Sequence, residues 1–183
     1  TKNSEDLKIK KIAKKHFVDF FQGDEKNLLK RFFDVSKKYN VKNIVRICAD
    51  NPFICPLEVD LLIKDFVSSK YKYSFNDRDY RNFKFADGFG AEIFNITLLR
   101  YLYDKVYAMN EKEHVTLHLW NKSKYLSPSL SNIPLKYRSI SIDVNYKKDF
   151  EKISYYVKKF KLNYMSKTSE ILRVFSKDNF FKK

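Results

Sequence analysis

The stretch Asn43-Ile44-Val45-Arg46-Ile47-Cys48-Ala49-Asp50-Asn51-Pro52 is an apolar run that ends abruptly in an acid, an amide and a proline. Its β-branched residues are typical of a buried strand covered on both faces, and Pro52 prevents both a further ladder hydrogen bond and a helical Asn51. Ligands of open α/β sheets bind outside the carboxyl ends of the strands, so a carboxylate at Asp50 is well placed to hold a divalent ion and, through it, a phosphate. The alternative is that Asp50 only caps the next turn.

Helical and strand-like patterns alternate on both sides of this stretch. Apolar periodicity and capping residues predict helices over 4–16, 24–38, 57–66, 96–107 and 148–160. Alternating or continuous apolar runs predict further strands over 17–21, 71–75, 91–94 and 139–145. This order predicts an α/β protein with a layered, mostly parallel sheet.

Composition limits the class of protein and of partner. The chain has 183 residues, which suits a single domain over 1–183, and its formal charge of +15 favours anionic partners such as nucleic acid, nucleotides or anionic sugars. Its two cysteines, Cys48 and Cys55, lack the further ligands of a zinc site and suit reduced core thiols in a cytosolic protein. With no apolar stretch long enough to span a bilayer and no signal-peptide core, we expect a soluble cytoplasmic protein without a membrane partner.

A second group of oxygen ligands follows another apolar strand pattern. Side chains alternate along a strand, so Asp143 and Asn145 are expected to point the same way. Together with Asp50 they could form an oxygen-rich site for Mg²⁺, which favours carboxylates, waters and substrate phosphates. The alternative is that Asp143 is a surface acid and Asn145 a turn residue.

Several common kinds of catalytic site are absent from the sequence. The three histidines are His16, His114 and His118, and no Gly-x-Ser-x-Gly elbow or Walker loop occurs. His114 could act as a general base or could simply pack against its aromatic neighbours. The sequence therefore does not predict a serine or cysteine hydrolase or a P-loop enzyme.

Five segments, in order, resemble the cytidylyltransferases that activate acidic sugars, of the acylneuraminate and spore-coat-polysaccharide type, with the octulosonate enzymes as more distant relatives. The segments are Gly23 to Phe32, similar to Gly-x-x-x-x-Val-Leu-x-Arg-Phe; Arg46 to Pro52, similar to Arg-x-Thr-x-Asp-x-Pro; Asp87-Gly88 with Glu92; Glu113 to Thr116; and Asp143 to Glu151, similar to Thr-Val-Asp-Tyr-x-x-Asp-Phe-Glu. In this match Asn145 stands where the family has its second metal-binding aspartate, and Asp143 is the nearest carboxylate.

The resemblance implies a three-layer, Rossmann-like nucleotide-diphospho-sugar transferase fold and the transfer of CMP from CTP to an acidic sugar. It implies Mg²⁺ at Asp50, Asp143 and Asn145, with Arg46 also in the catalytic centre. The other implied roles are nucleotide binding by Gly23, Asp24, Leu29 and Arg31, and sugar binding by Asp87, Gly88, Glu92 and His114. A homodimer is implied too. The family's first strand and phosphate-cradling loop have no counterpart here, so we expect an amino-terminally incomplete version of the fold.

Two alternatives stay open at this point. One keeps the fold and changes the nucleotide or the sugar. The other is a non-catalytic dimerisation or nucleic-acid-binding module, which the charge would suit. We expect nucleic acid not to be the partner, because proteins that stack bases expose aromatic and basic residues on one surface, whereas the phenylalanines here mostly follow core periodicity.

Overall fold

A computed structural model describes residues 1–120, 122 and 127–183. The described residues form eight α-helices and three strands, together with short 3₁₀ turns. In chain order these are α1 (Leu7–Lys15), α2 (Leu28–Lys38), β1 (Asn43–Arg46), α3 (Pro56–Ser68), β2 (Tyr73–Phe75), β3 (Glu92–Asn95), α4 (Ile96–Lys105), α5 (Met109–Glu113), α6 (Leu117–Trp120), α7 (Lys147–Lys159) and α8 (Thr168–Phe175).

The α/β class predicted from the sequence is confirmed, and the pairing of the strands adds a detail to it. The sheet of the described residues has the order β1-β3-β2, and β3 runs antiparallel to both neighbours. We expected a mostly parallel sheet. Parallel neighbours need a crossover connection, but β3 follows β2 through the irregular segment 76–91, which contains no helix.

The strand that leads to Asp50 is shorter and less buried than expected. It ends at Arg46, four residues before Asp50, and none of its four residues is fully buried. β1 lies at the edge of the described sheet, where β3 is its neighbour on one side. Asp50 is therefore placed by a turn beyond the strand rather than by the strand itself.

Two other predicted strands do not form. At 17–21 the backbone instead caps α1, since Phe17 has a φ of 56° and the Val18 N–H donates to the Ala13 carbonyl. At 139–145 only isolated bridges occur, a parallel one between Ser141 and Asp87 and an antiparallel one between Ile140 and Lys182. In the first segment the end of α1 therefore decides the local structure, and in the second the tertiary partners override the local apolar pattern.

The chain divides into two compact units, and the first contains Thr1–Ile44 and Phe94–Leu126. Its principal packing is between α2 and α4, where the rings of Phe33 and Tyr103 stack with centroids 4.1 Å apart. The Asn27 side chain caps α2 by accepting a hydrogen bond from the Lys30 N–H. The helix thus begins four residues later than predicted.

The second unit contains Val45–Ile93 and Ser127–Lys183. Its larger core includes buried side chains of α7 and α8, and Phe175 packs there against Tyr156 and Phe181 with ring centroids 5.2 and 4.7 Å apart. A smaller core forms where Leu62 and Phe66 of α3 meet Ile93 of β3. The prediction of a single domain over 1–183 stays a prediction.

Replacing Gly90 with alanine is expected to destabilise the protein by about 1–3 kcal/mol. A Cβ at this position would lie 2.1 Å from the backbone carbonyl oxygen of Asn76. That backbone is fixed, because the Asn76 N–H donates to the Ala91 carbonyl at 3.1 Å. Urea unfolding measures the loss. Gly23→Ala is the matched control, since its Cβ would meet the movable side chain of Arg31, and an equal loss in both variants would contradict the prediction.

Among the helices in the described part of the chain, none combines the length and the apolar character that crossing a bilayer requires.

Candidate active site

In the second unit, three separate segments bring acidic side chains to one cavity. The cavity has a volume of about 240 Å³ and includes Asp50, Asp87 and Asp143 among its lining residues. The rest of its described lining is Cys48, Asn51, Asp77 and Arg78. Three of the acids that the sequence singled out, separated by up to 93 positions along the chain (143 − 50), therefore share one site.

Hydrogen bonds hold the Asp50 backbone in place, but one oxygen of its carboxylate accepts none from the described residues. The Asn51 N–H donates to the Cys48 carbonyl at 3.3 Å and closes a turn, and the Val144 N–H donates to the Asp50 carbonyl at 2.9 Å. The Asp50 Oδ1 atom is buried and has no hydrogen-bond partner among the described residues. A capping role leaves that oxygen unexplained, because a cap accepts hydrogen bonds from backbone N–H groups.

The Asp143 carboxylate is oriented by neighbouring side chains. The Ser141 hydroxyl donates to Asp143 Oδ1 at 2.5 Å, and the Asn145 amide nitrogen donates to Asp143 Oδ2. Asn145 is exposed and lines a neighbouring cavity of about 330 Å³, which Asp143 also borders. In this arrangement Asn145 orients Asp143, and its predicted role as a magnesium ligand stays a prediction.

Asp87 and Gly88 lie directly against the segment that carries Asp143. The Asp87 N–H donates to the Ile140 carbonyl at 2.8 Å, and the Ile142 N–H donates to the Asp87 carbonyl at 3.2 Å. Gly88 has a φ of 91°, and a Cβ there would lie 3.1 Å from the Ile142 carbonyl group. Glycine is required here because the backbone is both left-handed and closely packed.

Glu92 lies at the centre of a buried network of charged side chains. Its side chain has no solvent exposure and pairs with Arg46 of β1 at 2.5 Å. It also accepts a hydrogen bond from the Tyr73 hydroxyl at 2.6 Å and pairs with Arg78 at 3.2 Å. Glu92 therefore braces the site from within, and the Arg46 guanidinium is directed at Glu92.

Asp77 and Arg78 are site residues that the sequence analysis did not single out. Arg78 donates from Nε and Nη2 to the Asp77 carboxylate, with the shortest distance 2.6 Å, and both residues line the cavity. They follow β2 after one intervening residue, Asn76, in a polar and aromatic segment without clear periodicity. The available signal was a charged pair close to the end of a strand, where sheet ligands commonly bind.

The electrostatic surroundings shift several of these groups. Burial raises the pKa of Asp87; the Lys183 ammonium opposes this shift and the Asp143 carboxylate adds to it. Burial raises the pKa of the Cys48 thiol, which keeps it protonated. Burial also raises the pKa of the Tyr73 hydroxyl well above its usual value, so the hydroxyl stays a donor to Glu92.

The donor set is compatible with magnesium. The described residues contain no group of three or more His, Cys, Asp or Glu side chains arranged to hold a metal ion. Magnesium, however, is usually bound by one or two carboxylates together with waters and substrate phosphates. Asp50 and Asp143 share the cavity, and the Asp50 Oδ1 atom has no described partner, so this pair fits that requirement.

The predicted nucleotide-binding residues lie in the first unit. Gly23 and Asp24 line a cavity of about 390 Å³, and the Asp24 carboxylate accepts hydrogen bonds from the Lys26 and Asn27 N–H groups. Leu29 is buried, and Arg31 packs against Gly23 with its Nε atom buried and without a described partner. The nucleotide-binding role of these residues stays a prediction.

His114 also belongs to the first unit. It is exposed at the carboxyl end of α5. Its predicted sugar-binding role stays a prediction.

A comparison with known protein families identifies the chain. The model of the cytidylyltransferase family matches residues 3–179. The chain belongs to the cytidylyltransferase family. The resemblance read from the five sequence segments is thus confirmed.

One solved cytidylyltransferase and two other proteins are similar to the chain. A solved cytidylyltransferase from Leptospira borgpetersenii superposes with a TM-score of 0.83 and 25% identity, covering 97% of this chain and 74% of that one. The spore coat polysaccharide biosynthesis protein SpsF of Bacillus subtilis is 27% identical over 73% of this chain and 54% of its own. An uncharacterised protein of Methanocaldococcus jannaschii is 29% identical over 82% of this chain and 60% of its own. The chain thus spans little more than half the length of these two relatives.

Proposed function

We propose that this cytidylyltransferase transfers CMP from CTP to an acidic sugar and releases pyrophosphate, in the synthesis of a surface polysaccharide or other glycan. The observation that carries the proposal is the convergence of Asp50, Asp87 and Asp143 on one cavity in a chain of this family. The similarity to a spore coat polysaccharide biosynthesis protein supports a sugar as the acceptor.

The proposed reaction is a displacement at phosphorus. A hydroxyl group of the sugar attacks the α-phosphate of CTP in line and loses its proton to solvent. The bond between the α-phosphorus and the bridging oxygen breaks, and pyrophosphate leaves with the electron pair of that bond. Little covalent chemistry is required of the protein, so its residues position the substrates and balance developing charge.

The acidic residues of the cavity have distinct proposed roles. Asp50 and Asp143 would hold Mg²⁺, which when bound supplies positive charge to offset that of the phosphates. Asp87 is suited to hold a sugar hydroxyl, because it lines the same cavity as Asp50 and Asp143 and its carboxyl oxygens can accept a hydrogen bond. Ser141 and Asn145 orient the Asp143 carboxylate.

Pyrophosphate release by the purified protein tests the proposed function. The assay contains CTP and magnesium with an acylneuraminic acid, an octulosonic acid or a neutral hexose, and parallel reactions replace CTP by ATP, GTP or UTP. We expect release with CTP and one of the acids. Release with another nucleotide or with the neutral sugar would overturn the assignment of that substrate, and no release under any condition would overturn the function.

Sedimentation of the same sample tests the homodimer that the resemblance implies.

A further inference from the structure

Two arginines belong to the buried network, and they differ in how they relate to the cavity. The Arg46 side chain is 12% exposed and points to Glu92. The Arg78 side chain is 36% exposed and lies among the residues that line the cavity. A guanidinium that is both anchored and accessible can bind a substrate, whereas one enclosed beside its carboxylate acts only through that partner.

We propose that Arg78 binds the anionic substituent of the acceptor sugar and that Asp77, Glu92 and Arg46 position it. This inference rests on the proposed function and adds to it the residue that selects an acidic over a neutral acceptor.

The charge distribution of the cavity limits where an anionic group can bind. Arg78 is the only cationic side chain in the described lining of the cavity. The same lining contains four carboxylates, those of Asp50, Asp77, Asp87 and Asp143. An anionic group entering the cavity is repelled by the carboxylates and attracted by the guanidinium. Arg78 therefore fixes the end of the cavity at which such a group can be accommodated.

The buried partners keep Arg78 charged and fixed. Burial alone would lower the pKa of Arg78, but the Glu92 and Asp77 carboxylates outweigh burial and raise it. The same two carboxylates hold the Nη2 atom at 2.6 Å from Asp77 and 3.2 Å from Glu92. A side chain held in this way loses little conformational freedom when it binds an anion, which favours selective recognition.

Arg46 has an indirect role in this arrangement. Arg46 pairs with the Oε2 atom of Glu92, whereas Arg78 and the Tyr73 hydroxyl contact the Oε1 atom. Arg46 therefore balances negative charge at the carboxylate oxygen that Arg78 does not contact. Arg46 is thus a positioning residue for Glu92, and through Glu92 for Arg78.

The test compares an acid with its neutral analogue in Arg78→Met. The substrates are the sugar acid that releases most pyrophosphate with the wild type, and the same sugar with its carboxylate converted to a carboxamide. We expect kcat/KM for the acid to fall by about 10- to 100-fold, the loss typical of one charged hydrogen-bonded contact. The value for the carboxamide should change much less, so the preference for the acid should nearly disappear.

Two further variants separate recognition from folding. Arg81→Met removes the same charge three residues away, from an exposed side chain whose guanidinium lies over the Tyr80 ring, and should keep the acid preference. Asp77→Asn combined with Arg78→Met leaves no uncompensated carboxylate at Asp77. This double variant should recover the melting temperature lost in Arg78→Met while still lacking the preference.

The outcomes distinguish this inference from the proposed function. If the wild type releases pyrophosphate with the acid and Arg78→Met keeps the full acid preference, the role of Arg78 is wrong while the function stands. If Arg81→Met loses the preference as Arg78→Met does, recognition depends on overall charge and the role of Arg78 is again wrong. If the wild type releases no pyrophosphate with any acid, the proposed function fails first.

Discussion

Asp50→Asn is expected to reduce pyrophosphate release by about 100-fold or more, the usual cost of removing one preorganised electrostatic contact from an active site. The substitution keeps the size of the side chain and removes its charge. Asp50 lines the cavity together with Asp143, and its Oδ1 atom is buried without a described partner. We therefore expect the substitution to affect the reaction more than the stability of the fold. Steady-state assays with CTP and the preferred sugar acid measure the effect.

Magnesium-dependent stability gives this prediction a second readout. A ligand that binds the folded state raises the melting temperature, so magnesium with CTP should stabilise the wild type and stabilise Asp50→Asn much less. Asp60→Asn, an exposed acid of α3, is the matched control and should behave as the wild type. Wild-type rates in Asp50→Asn would remove Asp50 from the mechanism.

Glu92→Ala is expected to lower the free energy of unfolding by about 3–5 kcal/mol, the range for breaking a buried ion pair by removing one partner. Glu92 has no solvent exposure and serves Arg46, Arg78 and the Tyr73 hydroxyl at once. Its removal leaves two buried or half-buried guanidinium groups without their shared carboxylate. Urea unfolding followed by circular dichroism measures the loss.

Two other glutamate variants serve as comparisons for the loss of unfolding free energy in Glu92→Ala. Glu92→Gln keeps the shape and one acceptor oxygen, so we expect it to cost less than Glu92→Ala. Glu151→Ala removes an exposed carboxylate 3.6 Å from Lys147 on α7 and should cost no more than about 0.5 kcal/mol. A Glu92→Ala loss no larger than that of Glu151→Ala would show that the buried network does not stabilise the fold.

Elements with a strong local pattern could be predicted from the sequence. The helices over α2, α3, α4 and α7 were found from apolar periodicity, with boundaries that shifted by a few residues. α8 was missed, although four of its eight residues, Ile171, Leu172, Val174 and Phe175, are buried. The helix is short, and its apolar residues are buried by contacts with aromatic side chains from other segments, such as Tyr156, which a local pattern does not reveal.

The candidate site was predicted in part. Asp50 and Asp143 were identified because each ends an apolar run, and they do line one cavity. Asp77 and Arg78 were missed, because their segment has no periodicity and their role depends on partners in other strands. Glu92 was singled out by the family resemblance, but its full burial could not be foreseen, since a charged residue is almost never fully buried unless it is paired.

By itself, the sequence determined the family, the α/β class and the acids that follow the apolar runs, because these depend on residue types and spacing within single segments. Only the tertiary structure decided that the 139–145 segment forms isolated bridges, that Glu92 joins Arg46 to Arg78, and that Arg78 is the arginine at the cavity. The physical reason is that burial and ion pairing are set by residues distant along the chain, and a local pattern carries no information about which partner will neutralise a charge.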